Sequence, residues 1–476
     1  MKVAVIGAGI AGLASAFSLK RRGVDVEVFE AADRPGGVLG TIERDGFLLE
    51  TAAVGFLLRE PTMLELIDVL GLRERLRSAD PTAKHRFVYT RGALHAVPSS
   101  PPALLKSDVV PLSTKLRMAA ELFSPRGHAE DESLGSFARR HVGAHATSIL
   151  VDAVQTGIYA GDVERLSVHA TFPQMVELER RHRSLLLGMM REGRSMKAAA
   201  AARAAKGLSG VLTTFDRGMQ VLVDALASAL GPRLRLRTRV RRLSRTAEGW
   251  RVLVADAWGP TAPPSGTAGE RANDSALRFV ADDGSARATE LKVDHVIVAT
   301  PAPVASELLA SVDPLLAQEL SSIPYAPIAA VHVGFRSLPN PPTGFGFLVP
   351  SAEQRGILGA LYVSSFFPHR APPGATLFTV MVGGAKHPER VALDDAALEA
   401  LVLKELEAIL GVRQPPDFVQ AIRWHPGLPQ YEVGHLARMA RIDAALKQHP
   451  GLHLAGNPYR GVSVLDCVKA AAALSL

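Results

Sequence analysis

The chain has 476 residues, 47% hydrophobic and 21% charged, which excludes a disordered polymer and leaves ample core for two or three domains. The formal net charge is +7 and aromatics are only 5%, with no nucleic-acid motif, so anionic lipid or a carboxylated small molecule suits the basic balance better than nucleic acid. A lone cysteine, Cys467, rules out a disulfide framework and points to a reducing compartment, and no apolar run approaches the ~18 residues of a spanning helix.

Residues 2–30 are predicted to form one β-α-β unit. VAVI is a buried-strand run, AGLASAFSLKRRG has helical apolar spacing and ends on Gly23, and VDVEVFE alternates as a second strand. The start MKVAVIGAGIAGL could pass for a secretory leader. Its glycines fall at nucleotide-binding spacing, however, and no small-residue cleavage site follows. From about 96 to 205 the pattern is helical, including TKLRMAAELF, ESLGSFARRHVG, ATSILVDAVQ and KAAAAARAAK. Strands return at 233–255, then a Gly/Pro/Ser-rich stretch near 257–275 reads as a hairpin tip. HVIVAT is a strand, IAAVHVGF, GFGFLVP, ILGALYVSSF and LFTVMVGG read as further strands, and LDDAALEALVLKELEAIL is a helix. The strand GLHLAGN and a terminal helix close the chain. The fold class is α/β, with a nucleotide fold that starts at the N-terminus and is rejoined by the last strand.

Gly7, Gly9 and Gly12 stand between strand and helix as G-A-G-I-A-G. The first permits a tight turn, the second lets backbone approach a pyrophosphate, and the third allows close helix–strand packing; Ala8, Ile10 and Ala11 complete the turn. Glu30 closes the second strand, where an acid accepts from a ribose and argues against a bound 2′-phosphate. Ala31, then Arg34 and Gly36-Gly37, follow at a spacing that favours FAD over NAD: a forked donor beside paired glycines that let a cofactor pass. Near the C-terminus a strand ends at Gly456, and Gly461 precedes a helix whose first amides can face an anion or the flavin.

These features, with RFVYTRGALHAVPSSP, DAVQTGIYAGDVERLSV, TFPQM, FPHRAPPG, VMVGG and LPQYEVGHL, resemble the flavin amine-oxidase superfamily and, within it, the protoporphyrinogen oxidases. The resemblance spans nearly the whole chain. It implies a discontinuous Rossmann-like FAD-binding domain (1–78, 208–300, 436–476), a mixed-sheet substrate domain (79–95, 301–435) and an inserted all-helical, membrane-associated domain (96–207). It also implies oxidation of protoporphyrinogen IX to protoporphyrin IX by hydride transfer to FAD, with molecular oxygen as acceptor, in haem biosynthesis. The flavin performs the chemistry, so no catalytic side chain and no metal are expected.

By the same resemblance Arg86 meets a propionate, and Phe345, Gly346, Leu348, Leu361 and Met381 hold the apolar ring. FAD is held by Gly7 to Gly12, Glu30, Ala31, Arg34, Gly37, Val38, Val54, Gly55, Val240, Gly456, Asn457, Val462, Ser463 and Val464. Without it, Arg86 reads as a strand-edge charge and the apolar residues as core; lone histidines such as His182 and His435 read as structural, and Cys467 as packing. Three departures fall at flavin-proximal motifs: Ala52-Ala53-Val54 where Gly-Pro is usual, Arg217 for a glycine, and Leu465 for asparagine. They favour a competing reading, a low-activity flavin- or porphyrin-binding protein. A coproporphyrinogen III oxidase and a flavin amine-oxidase-type enzyme of different substrate compete within the enzyme class. A cytoplasmic location, peripheral on the inner face of the cell membrane through anionic lipid, and a homodimer complete the expectations.

Overall fold

The run KVAVI is buried at four of its five positions and becomes the central strand, Lys2–Ile6, of a five-stranded parallel sheet. Its neighbours come from distant parts of the chain: Asp25–Phe29 and Leu234–Arg235 on one side, His295–Val298 and Leu452–Leu454 on the other. A strand buried on both faces reads as a continuous apolar run, which is why VAVI and HVIV were legible. Helices Ile10–Arg21 and Val464–Ala473 pack together on one face, closing a core of Leu13, Phe17, Leu222, Leu226 and Val468. The computed structural model describes residues 1–98, 101–123, 130–256 and 288–476, so the predicted hairpin tip at 257–275 lies outside the described residues.

A seven-stranded sheet forms the second layer system, in the order Phe418–Pro429, Tyr325–Phe335, Thr376–Gly383, Gly359–Tyr362, Gly346–Leu348, Arg86–Thr90, Ala93–Ala96. One face carries Phe347, Tyr362, Phe378 and Val380 and is covered by Leu398, Val402 and Leu406 of helix Asp395–Leu410. Burial of that face accounts for the strength of those strand signals. The described part of 101–205 is helical, and no helix among the described residues is long and apolar enough to cross a membrane. One expectation is corrected. ILGALYVSSF is not one strand: it ends at Tyr362, and Val363–Phe366 turns helical because Ser364 Oγ accepts from Leu377 N–H and Ser365 Oγ from Gly344 N–H. Strand Phe418–Pro429, hidden in the sequence by Pro426 and Gly427, pairs with Tyr325–Phe335 through a register shift between Ala326 and Ile328.

The two sheet systems meet at Glu50, the last residue of the hairpin Thr41–Arg44/Phe47–Glu50. Its carboxylate lies 2.5 Å from the guanidinium of Arg370, and both side chains are buried. Met219 N–H and the Thr41 hydroxyl donate to it at 2.9 Å, and Arg370 also donates to Thr214 Oγ1 at 2.6 Å. Burial pushes the Glu50 carboxyl upward, against the pull of Arg370, Met219 and Thr41. The backbone next to Glu50 is tied to the large sheet as well: His332 Nε2 donates to Glu50 O at 3.1 Å and Trp424 Nε1 to Thr51 O at 2.7 Å. Thr379 Oγ1 completes the set, donating to His332 Nδ1 at 3.0 Å.

Removing one partner of a buried pair leaves an uncompensated charge, so Arg370→Met should lower unfolding stability by about 3–5 kcal/mol in urea titration. Burial holds the His332 imidazole down to about 4, below its ordinary 6.5. The unfolded chain takes the proton first as pH falls, so this contribution to stability is complete above pH 6.5 and is lost down to about pH 4. His332→Gln, which keeps an acceptor and a donor, should flatten the loss of stability between pH 6.5 and 4; an unchanged slope would assign it to other groups.

Candidate active site

The nucleotide cradle is built by glycines with distinct jobs. Gly7 turns at φ +97°, and a side chain on Gly12 would lie 2.0 Å from Gly7 O, so helix Ile10–Arg21 can leave the strand only with glycine at position 12. At Gly9, in contrast, a Cβ would meet nothing within 4 Å: the space in front of the helix N-terminus is open. The first-turn amides of Ile10, Ala11 and Gly12 have no carbonyl partner within their own helix. Ala8 and Ala11 bury their methyls and present backbone. Glu30 accepts from Ala8 N–H at 2.7 Å and from Ala32 N–H at 2.8 Å, one per oxygen, which fixes the carboxylate and leaves further lone pairs for a ribose. Val240 lies beside it, because Thr238 N–H donates to Glu30 O and leads the strand past the end of Asp25–Phe29.

Residues 34–40 fold back over the cradle. Gly36 N–H donates to Ala8 O at 2.8 Å, and a side chain on Gly37 (φ +60°) would come 3.2 Å from Gly9 Cα. Arg34 donates to Gly37 O at 3.0 Å, and burial lowers its pKa against the attraction of Asp33 and Glu30, placing a partly buried positive charge beside the open space. Val38 is exposed, while Ala31, Val54 and Gly55 are half-buried. At the far end Ala455 N–H pairs with Val298 O, and Gly456 and Gly461 turn at positive φ. Ser463 caps the terminal helix in a reciprocal box with Asp466. Asn457 and Val462 line the loop before it, and Val464 packs partly onto the nucleotide core. An open pyrophosphate approach, free amides, an anchored ribose acceptor and a charged arginine together fit FAD.

The Arg217 guanidinium pairs with Glu43 on the surface, Ala52 is exposed, and Leu465 is buried in the nucleotide core. Cys467 is buried too, its thiol pushed up to about 12 by burial. His182 pairs with Glu192, and His435 is buried against Tyr431.

The expected substrate residues come together on the sheet face opposite Phe347 and Tyr362. Register aligns Arg86, Gly346, Leu361, Thr379 and His332 in one cross-strand row. Leu348, Gly359, Met381 and Ala330 follow two positions along. Residues two apart share a face, so Arg86, Gly346, Leu348, Leu361 and Met381 all point the same way. Phe345 sits at the strand entry, stacked on Phe366 with ring centroids 4.5 Å apart, and the Arg86 guanidinium lies 4.5 Å over its ring. The exposed Arg86 is thus held against an aromatic while its donors remain accessible. Leu348 also meets the helices: a side chain on Gly157 would lie 3.1 Å from Leu348 Cδ2. The row passes through His332, which donates to Glu50 O, and on to Gln420 of the edge strand, so the sheet face is tied by a hydrogen bond to the segment that begins at Glu50. The sequence reading missed His332, Arg370 and Trp424; only His332, a polar residue embedded in the apolar strand run IAAVHVGF, carried a signal.

The two glycines separate cofactor loss from misfolding. Gly9→Val should abolish FAD retention while leaving the urea midpoint near wild type, whereas Gly12→Ala should lower that midpoint; flavin absorbance after gel filtration and unfolding curves measure both.

The model of the flavin containing amine oxidoreductase family matches residues 10–473. A coproporphyrinogen III oxidase of Bacillus subtilis is 29% identical over 98% of this chain and 95% of its own length. The mitochondrial protoporphyrinogen oxidase of Nicotiana tabacum is 32% identical over 97% of this chain and 92% of its own. A crystal structure from Exiguobacterium sp. 255-15, provisionally assigned as a protoporphyrinogen oxidase, superposes with a TM-score of 0.79 at 26% identity, covering 99% of this chain and 97% of that one. With the cradle and the sheet face in place, this chain belongs to the flavin containing amine oxidoreductase family and is an FAD-dependent oxidoreductase.

Proposed function

We propose that the chain oxidises a porphyrinogen in haem biosynthesis, with protoporphyrinogen IX as substrate and molecular oxygen as final acceptor. The observation that carries this reading is Arg86 at the rim of a glycine-interrupted sheet face. Gly346 and Gly359 keep that face flat enough for a macrocycle, Leu348, Leu361 and Met381 supply apolar contact, and Arg86 forks onto a propionate at the edge. When bound, FAD would supply the hydride acceptor and the route of the electrons to oxygen, giving hydrogen peroxide. The protein's share is orientation: the row from Arg86 to His332 sets the distance between the carboxylate anchor and the segment that follows Glu50.

The second reading, coproporphyrinogen III with four propionates instead of two, is favoured by the Bacillus subtilis relative of that name, which aligns over 98% of this chain. Rates on the two porphyrinogens separate them. A cytoplasmic location with peripheral contact to anionic membrane belongs to the same proposal. Exposed Met189, Met190 and Met196 lie on one helix with exposed Arg191, Arg194 and Lys197, a mixture suited to a charged interface. A homodimer is included as the expected assembly.

Arg86→Met should raise the KM for protoporphyrinogen IX about ten- to a hundredfold, by loss of a charge-assisted hydrogen bond, with FAD content unchanged. Porphyrin fluorescence reads the rate, and an unaltered KM would remove Arg86 from the substrate site.

A further inference from the structure

Segment 430–435 touches two parts of the molecule at once. On one side it is bonded to the helical region. Ser167 N–H donates to Tyr431 O at 2.8 Å, Val433 N–H to Arg165 O at 2.9 Å, Gln430 Nε2 to Tyr159 O at 2.8 Å, and Gly434 N–H to the Asp131 carboxylate at 2.9 Å. On the other side two of its side chains reach the loop that leads into the terminal helix. The Tyr431 hydroxyl accepts from Gly461 N–H at 2.8 Å and donates to Asn457 O at 2.6 Å. His435 Nε2 donates to Tyr459 O at 3.2 Å. The two rings stack on each other, centroids 4.1 Å apart and 13° from parallel.

Three backbone groups within five residues of the flavin-facing loop are therefore set by one stacked pair. The flanking residues of that loop, Gly456 and Gly461, both adopt positive φ, so the path of the backbone depends on side-chain anchors more than on intrinsic preference. Burial raises the Tyr431 phenol well above its ordinary value and lowers the His435 imidazole, so both rings stay neutral and keep these donor and acceptor roles across the physiological range. The same segment is fastened to Tyr159, Arg165 and Ser167, so a displacement of the helical region is transmitted to Asn457 and Gly461.

We propose that Tyr431 and His435 are positioning residues for the flavin end of the cofactor site, holding loop 457–461 in register with the terminal helix and coupling it to the helical region. The proposal rests on FAD binding and not on the identity of the substrate. Tyr431→Phe keeps the ring and its stacking and removes only the hydroxyl. Its holoenzyme should release FAD with a dissociation constant about tenfold higher, read by recovery of free-flavin fluorescence on dilution, and the visible circular dichroism of the bound flavin should change. Tyr159→Phe removes a hydroxyl from the same aromatic cluster, one that donates weakly to Thr171 O at 3.4 Å, and should behave as wild type. His435→Gln, which retains an N–H donor, should keep more FAD than His435→Ala. The proposal is overturned if Tyr431→Phe matches wild type in FAD affinity and dichroism, or if His435→Gln and His435→Ala lose FAD equally. None of these readouts needs a porphyrinogen, so failure here and failure of the substrate reading are distinguishable.

Discussion

Glu50 is the point on which the arrangement of the two sheet systems depends. Its carboxylate takes Arg370 from the large-sheet side and Met219 N–H from the nucleotide side, and its carbonyl takes His332 from strand Tyr325–Phe335 of the large sheet. Burying an ion pair costs several kcal/mol of desolvation per ion, so the pair adds little net stability over an apolar substitute. What it supplies is a defined geometry. An apolar contact at this junction could slide, whereas a carboxylate with three donors has one arrangement. The cradle at Gly9 and the sheet face carrying Arg86 must keep a fixed separation for a bound macrocycle to meet a flavin, and Glu50 with His332 provides the fixed point.

Around that point the site divides its work by residue type. Glycines clear space or permit turns: Gly9 leaves the approach open, Gly12 admits the helix, and Gly346 and Gly359 admit the close backbone of the neighbouring strand. Charged groups take fixed positions: Glu30 is held by two backbone amides and Arg86 lies over the Phe345 ring, where in the proposed reading they meet a ribose and a propionate. Aliphatic residues and Met381 fill what remains. A site of this composition is suited to binding and orienting a substrate against a cofactor that performs the chemistry.

The legible part of this structure was local. Gly7, Gly9 and Gly12 with Glu30 are read within thirty residues, and the strands VAVI and HVIV declare themselves because both faces are buried. The substrate residues were assigned through resemblance alone, since Arg86 and Met381 lie 295 positions apart and only register brings them to one face. The Glu50–Arg370 pair was illegible for the same reason: nothing near either residue announces a partner 320 positions away. Strand Phe418–Pro429 was hidden because Pro426 and Gly427 look like a break, although they occupy a register irregularity that tolerates them. At the departures, Arg217 pairs with Glu43 and Leu465 is buried in the nucleotide core.

In the proposed function, the cradle and the sheet face together bring a porphyrinogen to FAD. This is tested most directly by mixing the FAD-loaded protein with protoporphyrinogen IX in the absence of oxygen and following flavin absorbance and porphyrin fluorescence together. The oxidised-flavin band should bleach as porphyrin fluorescence rises, with one porphyrin formed per three flavins reduced, and admitting oxygen should restore the band. A flavin that stays oxidised with no porphyrin formed, under the same treatment with protoporphyrinogen and with coproporphyrinogen, would contradict it.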